Sequence, residues 1–255
     1  MKLFLSLYKK ELRAMRSNFL IILAAIVALN VFLMTRVASW GYWNALLMSI
    51  APPLALLFFG GMLQAFLLVR DEWKAGTAPF LRSLPISGWG IVGAKMLAAF
   101  TSWVAMSLVT LVLSGIFHTC APWFGMEWLP LAELPWSRMI GCIVLVVLGL
   151  MGAVLFGGIV LQLAYLLGRV VNRFNGLLSA VAGVALMYVA TRGGDWLAGV
   201  LSFLPDITVE VPFNWSEGFT LVPQTINSGA IVVLVLELAL LFWAAGWLME
   251  KKAES

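Results

Sequence analysis

Met139-Ile-Gly-Cys-Ile-Val-Leu-Val-Val-Leu-Gly-Leu-Met-Gly-Ala-Val-Leu-Phe-Gly-Gly-Ile-Val-Leu-Gln-Leu-Ala-Tyr-Leu-Leu167 contains no charged side chain and one amide, Gln162. A helix crossing a bilayer core of about 30 Å needs about 20 mostly apolar residues, and this run exceeds that. A helix apolar on every face has no side for water, so its surroundings are protein or lipid. The whole chain resolves the choice. Apolar residues make up 62% of it, charged residues 11%, and mean hydropathy is +1.00. A soluble protein keeps about a quarter of its residues charged. The polar surface here is too small to wrap a soluble core, and the solvent is lipid. The 12 Trp and 16 Phe agree, since amphipathic rings collect at the lipid–water boundary.

Five further runs read the same way: 19–35, 45–69, 91–117, 176–191 and 230–249. The expected fold class is therefore all-α integral membrane, with six transmembrane helices in one domain over 19–249. Pro52 and Pro53 fall inside the second run, remove two backbone donors and are expected to kink or interrupt it. Ahead of the spans, Leu3, Phe4, Leu7, Leu12 and Met15 alternate at helical spacing with Lys2, Lys9, Lys10, Arg13 and Arg16. Residues 1–18 are read as an amphipathic interfacial helix on an anionic membrane surface. The first apolar run follows that basic segment and lacks a small-residue cleavage site, so it is expected to remain as a span rather than act as a signal peptide.

Orientation follows from the basic residues. Lys2, Lys9, Lys10, Arg13, Arg16, Arg70, Lys74, Arg82, Lys95, Arg169, Arg173, Lys251 and Lys252 fall on one side of the six runs. Only Arg36, Arg138 and Arg192 fall on the other. Both termini, the tail 250–255 and the segment 70–89 are expected to be cytoplasmic. The segment 192–228 is expected outside, with Trp196–Leu204 dipping back as a re-entrant or interfacial helix. The net charge of +4 thus serves topology and anionic headgroups, not nucleic acid.

Most apparent motifs carry no chemistry. Gly88-Trp-Gly90-Ile-Val-Gly93 spells a dinucleotide pattern but opens a transmembrane helix with no strand before it. It reads as a flexible entry to the span, with Lys95 snorkelling back to the surface. Asn214-Trp-Ser216 is a glycosylation sequon by spelling alone. One histidine, His118, and two cysteines, Cys120 and Cys142, form no metal-ligand set. No catalytic constellation is visible, so the chain is expected not to be an enzyme. Gly149, Ala153 and Gly157, like Ser179 and Gly183, recur every four residues and suit close helix packing. Glu237 stands near the middle of the last run, where a charge costs at least about 2.5 kcal/mol. It is read as a substrate contact or gate, or else as a neutral acid hydrogen-bonded to Asn30, Gln64 or Gln162. With Pro52, Pro53 and Gln64 it forms the candidate path.

The informative stretch is Arg70-Asp-Glu72-Trp-Lys-Ala-Gly76-Thr77-Ala-Pro-Phe-Leu81-Arg-Ser-Leu84-Pro85-Ile-Ser87, followed by Lys95. It reads as a short amphipathic helix parallel to the membrane between two spans. Glu72, Gly76, Thr77, Leu81, Leu84, Pro85 and Lys95 resemble the signature between the second and third spans of type-2 ABC exporter permeases. There an acidic residue precedes Gly-Thr, a leucine-rich turn, Leu-Pro and a lysine entering the next helix. Tyr8-Lys-Lys-Glu11-Leu-Arg13, six spans and a long outer segment extend the likeness across the chain as architecture. The resemblance implies a bacterial plasma-membrane half-transporter that couples to a separate ABC ATPase subunit in two copies. A second permease, identical or paralogous, would complete it, and ATP and magnesium would be held by the ATPase alone. It implies a coupling role for Arg70, Asp71, Glu72, Lys74, Gly76, Thr77, Leu81, Leu84 and Pro85, with Glu72 foremost. Arg169 and Arg173 in the next short link would add a second contact. The cargo would be an amphipathic lipid, peptide or antibiotic, or an ion. The competing expectation is an ATP-independent secondary transporter or channel that uses Glu237.

Overall fold

A computed structural model describes residues 2–40, 42–77, 80, 85–124, 136–170, 175–213 and 220–251. Six helices in it are long and apolar enough to cross a membrane. They are α1 (Lys2–Trp40), α2 (Tyr42–Lys74), α3 (Gly88–Cys120), α4 (Trp136–Val170), α5 (Asn175–Val200) and α6 (Ser228–Lys251). A single 3₁₀ turn, Ala121–Phe124, follows α3. The chain is thus an all-α membrane protein, with one small hairpin among the described residues.

Helix α3 is central and packs on α1, α2 and α6, while α4 joins α2 to α5 and α6. The largest core patch draws Val69 from α2, Val92 and Ala94 from α3, Ile159 and Leu163 from α4, and Leu241 and Ala245 from α6. Helix α5 has none of its apolar window buried, which places it at the edge of the bundle. Phe4 near the start of α1 approaches Gly93 of α3, beside Phe242 of α6. The Glu250 carboxylate of α6 accepts a hydrogen bond from Gly88 N at 3.1 Å. The beginning of α1 and the end of α6 therefore lie at one end of the bundle, here called the termini end.

Several boundaries differ from the expectations. The amphipathic segment does not break from the first span, because α1 runs unbroken from Lys2 to Trp40. No Gly or Pro stands in that interval to stop a helix. Its inner face is Leu7, Glu11 and Met15, spaced by four and buried against protein rather than laid on lipid. The charges Arg70 to Lys74 form the last turn of α2, not a separate helix parallel to the membrane. Of the segment beyond, Phe80 is helical, and Leu81 and Leu84 lie outside the described residues.

The prolines do not interrupt α2, which is helical through both. Pro53 cannot donate to the carbonyl of Ser49, four residues back. Ser114 of α3 does so instead, its Oγ 3.2 Å from Ser49 O. Transmembrane prolines are tolerated where a neighbour re-satisfies the freed acceptor. Ser114→Ala is expected to lower stability by about 1–2 kcal/mol, the cost of stranding a buried acceptor. Ser107→Ala, which removes a buried hydroxyl lacking a partner among the described residues, is expected to be neutral or stabilising. Thermal unfolding followed by size-exclusion chromatography reads both.

The re-entrant helix after residue 192 is also not what forms. Helix α5 continues through Gly193 and Gly194 to Val200, and Pro205 follows its end. An antiparallel hairpin comes next, β1 (Ile207–Phe213) and β2 (Thr220–Ile226), with Ile207 opposite Ile226 and Phe213 opposite Thr220. Asn214-Trp-Ser216 lies outside the described residues. Asn227 Oδ1 then accepts from Gly229 N at 2.7 Å and caps α6.

Gly88 at the start of α3 serves packing rather than flexibility. A Cβ on Gly88 would lie 2.4 Å from the carbonyl oxygen of Gly246, so two backbones touch there. Ser87 Oγ accepts from Gly90 N at 3.3 Å and caps the helix. Of the small-residue stripe in α4, Gly157 receives Met62, whereas Gly149 has nothing within 4 Å of where its Cβ would be.

Candidate functional site

Three helices meet at the termini end around one ammonium group. Lys95, in the second turn of α3 between Ala94 and the small pair Ala98 and Ala99, is fully buried. It does not snorkel to the surface. Its Nζ donates to Glu11 Oε1 at 2.8 Å, to Leu68 O at 2.9 Å and to Glu72 Oε1 at 3.3 Å. An ammonium has three donors, and here all three are used.

Glu72 is the second hub. Its Oε1 also accepts from Lys10 Nζ, and its Oε2 from the Thr77 hydroxyl. Lys10 reaches Glu11 as well, at 3.8 Å. Two cations and two carboxylates therefore balance within the cluster. That balance permits burial, because one unpaired charge in low dielectric costs several kcal/mol.

The local backbone explains the Glu-x-x-x-Gly-Thr spacing. Gly76 adopts φ of +70°, the left-handed conformation that glycine takes without steric cost. Its N–H donates to Trp73 O at 3.3 Å, and Thr77 N donates to Glu72 O at 3.0 Å. This pair of bonds is the Schellman end of α2. Glu72, Gly76 and Thr77 are thus successive parts of one helix stop, which turns the Thr77 hydroxyl back onto the Glu72 carboxylate.

No protein-family model, curated protein or solved structure matches this chain.

Geometry sorts the remaining candidates. Glu72 faces inward and is mostly buried, so it positions the end of α2 rather than presenting a surface contact. The outward charges there are Asp71 and Lys74, with Arg70 bonded to Asp71 at 3.1 Å. Gly76 and Pro85 are exposed. Arg169 at the end of α4 donates to Tyr165 Oη through Nε and Nη2, at 3.0 and 2.9 Å. Its guanidinium also lies 5.6 Å from the Trp73 ring centroid. Arg169 therefore does stand beside the end of α2, while Arg173 lies outside the described residues.

Pro52, Pro53 and Gln64 line one cavity of about 510 Å³ between α1, α2 and α3. Its walls are apolar, including Phe19, Ile22, Leu57 and Met106, with Asn18, Gln64 and Ser102 as polar points. Ile21 and Leu56 at its rim are strongly exposed, so it opens sideways toward the membrane. The indole N–H of Trp103 in its wall has no partner among the described residues.

Glu237 belongs elsewhere. It faces α5, where a Cβ on Gly194 would lie 2.9 Å from its Oε1. None of the three suggested amides is its partner. Asn30 donates to Ile26 O, Gln64 to Met15 Sδ and Gln162 to Ala65 O. Cys120 and Cys142 are separate free thiols, and no cluster of metal-ligating side chains occurs among the described residues.

Sequence reasoning missed Glu11 and Lys10 as site residues. The available signal was a carboxylate between Leu7 and Met15 on the apolar face of an amphipathic helix. A buried acid in that position requires a cation, and Lys95 supplies it.

Proposed function

We propose that this chain is the membrane-spanning permease half of an ATP-driven exporter of the type-2 ABC class. One observation carries the reading. Glu72, Gly76, Thr77 and Lys95, four residues of the resemblance, converge on a single unit that locks the end of α2 to α1 and α3. Such a unit suits force transmission. A push on the exposed turn around Asp71, Lys74 and Phe80 reaches three helices together, because the salt-bridged end cannot move alone.

In this reading the termini end is cytoplasmic and the membrane is the plasma membrane of a bacterial cell. Two copies of a separate ATPase engage Asp71, Lys74 and the segment after Thr77, and a second permease chain completes the path. ATP and its magnesium belong to the ATPase, and this chain does no chemistry of its own. The cargo is amphipathic and enters by the sideways cavity at Pro52, Pro53 and Gln64, whose few polar points sit in apolar walls. An ion-driven mechanism through Glu237 has less support, because Glu237 does not line that cavity.

Isolation of the tagged chain from native membranes tests the proposal. An ATP-binding subunit is expected to accompany it, and the double charge reversal Asp71→Lys, Lys74→Glu is expected to release that subunit. A chain that comes out without an ATPase and moves substrate in vesicles lacking ATP would end the reading.

A further inference from the structure

A second cavity, of about 390 Å³, lies between α2, α4 and α5. Its rim carries Arg70, Lys74 and Arg169, and its floor includes Leu63, Phe66, Leu161 and Ala164. We infer that this cleft binds one anionic phospholipid, with the phosphate held by Arg169 and Lys74 and an acyl chain lying on the floor.

Charge is the first argument. Arg70 is offset by Asp71, but Lys74 and Arg169 have no carboxylate partner among the described residues. Two uncompensated cations at the mouth of an apolar cleft call for an anion that also has an apolar part. The Arg169 guanidinium is already held in place. It lies 5.6 Å from the Trp73 ring centroid and 5.3 Å from that of Tyr165. Two of its five N–H donors go to Tyr165 Oη. The others remain for a phosphate, the planar fork matching phosphate oxygens in pairs.

Depth is the second argument, and it favours lipid over an acidic side chain from a partner protein. Arg70 follows Val69 where α2 passes from apolar to charged sequence, the level of a headgroup. Leu63 is seven residues earlier, about 10 Å deeper along the helix. Leu161 stands at a similar remove from Arg169. An acyl chain fills that depth, whereas an aspartate or glutamate does not reach it. Basic pockets between spans are the usual place for anionic headgroups. This inference shares Lys74 with the proposed ATPase contact but does not depend on the transporter reading, since its test contains no ATPase.

The test is native mass spectrometry of the full-length protein in nanodiscs of phosphatidylcholine doped with phosphatidylglycerol. One phosphatidylglycerol per chain is expected to survive release from the disc, and phosphatidylcholine is not. Lys74→Gln, an exposed residue whose loss leaves the fold intact, is expected to weaken retention about fivefold. Arg169→Gln should weaken it further. Arg13→Gln, on α1 at a separate cavity lined by α1 and α3, should leave it unchanged. Soluble glycerol 3-phosphate is expected not to displace the lipid. Equal retention by wild type and Lys74→Gln would overturn the inference. So would an equal loss in Arg13→Gln, which would mark general surface attraction. Displacement by glycerol 3-phosphate, or retention of phosphatidylcholine to the same degree, would overturn it too.

Discussion

Lys95→Met is expected to destabilise the bundle by about 3–5 kcal/mol, the usual cost of removing one partner from a buried ion cluster. Methionine fills much the same volume, so packing changes little. What remains is two buried carboxylates, Glu11 and Glu72, with only the partly exposed Lys10 between them. Leu68 O also loses a donor. Thermal unfolding of the detergent-purified protein should show a large drop in Tm. Adding Glu11→Gln to Lys95→Met should recover part of it, since one orphaned charge then becomes neutral. Glu11→Gln alone should also destabilise, because it leaves Lys95 short of a counter-charge. If Lys95→Met costs under about 1 kcal/mol, the cluster is not the clamp described here.

Gly88→Ala is expected to be the next most damaging single change. The new Cβ would meet the Gly246 carbonyl oxygen at 2.4 Å and Glu250 N at 3.0 Å, both backbone atoms that cannot rotate away. Helices α3 and α6 must separate, and the Gly88 N–Glu250 carboxylate bond goes with them. Overpacking of this kind costs about 1–3 kcal/mol or more. Gly246→Ala offers a comparison. There the clash is with a side chain, the Trp89 ring, whose Cδ1 and Cγ would lie 2.2 and 2.5 Å away. The indole can relieve it by swinging about its Cα–Cβ bond, giving up its N–H bond to the Trp243 carbonyl, 3.2 Å away. The expected order of Tm is wild type, then Gly246→Ala, then Gly88→Ala. A Gly88→Ala variant as stable as wild type would show that the two backbones are not in contact.

The six spans were legible because membrane crossing is a local property. Length and apolar composition, read in one window at a time, settle it. The boundaries were less so. Helix α2 runs on to Lys74 because its charged last turn is still good helix, and hydropathy sees only the fall at Arg70. The hairpin carried its own signal, the alternation Ile207-Thr-Val-Glu-Val. The apolar run Trp196 to Leu204 masks that signal, because its composition alone suits a re-entrant helix.

The site was half legible. Glu72, Gly76, Thr77 and Lys95 stood out by resemblance, but their spacing has a physical reason that only the backbone reveals. Gly76 is the left-handed stop of α2. Glu11 was hidden because its partner lies 84 residues away, and no local pattern pairs them. Glu72 was expected to face a partner protein and instead faces Lys95. Glu237, conspicuous as a lone acid in an apolar run, lies against Gly194, at the contact between α5 and α6.

We propose that this chain works as the permease half of an ATP-driven exporter. The most direct measurement is the mass of the intact complex released from native membranes under gentle extraction. Two permease chains together with two ATP-binding subunits are expected, with loss of those subunits from the Asp71→Lys, Lys74→Glu variant while the permease pair persists. A permease found alone or with itself, with no ATP-binding subunit at any extraction strength, would contradict it.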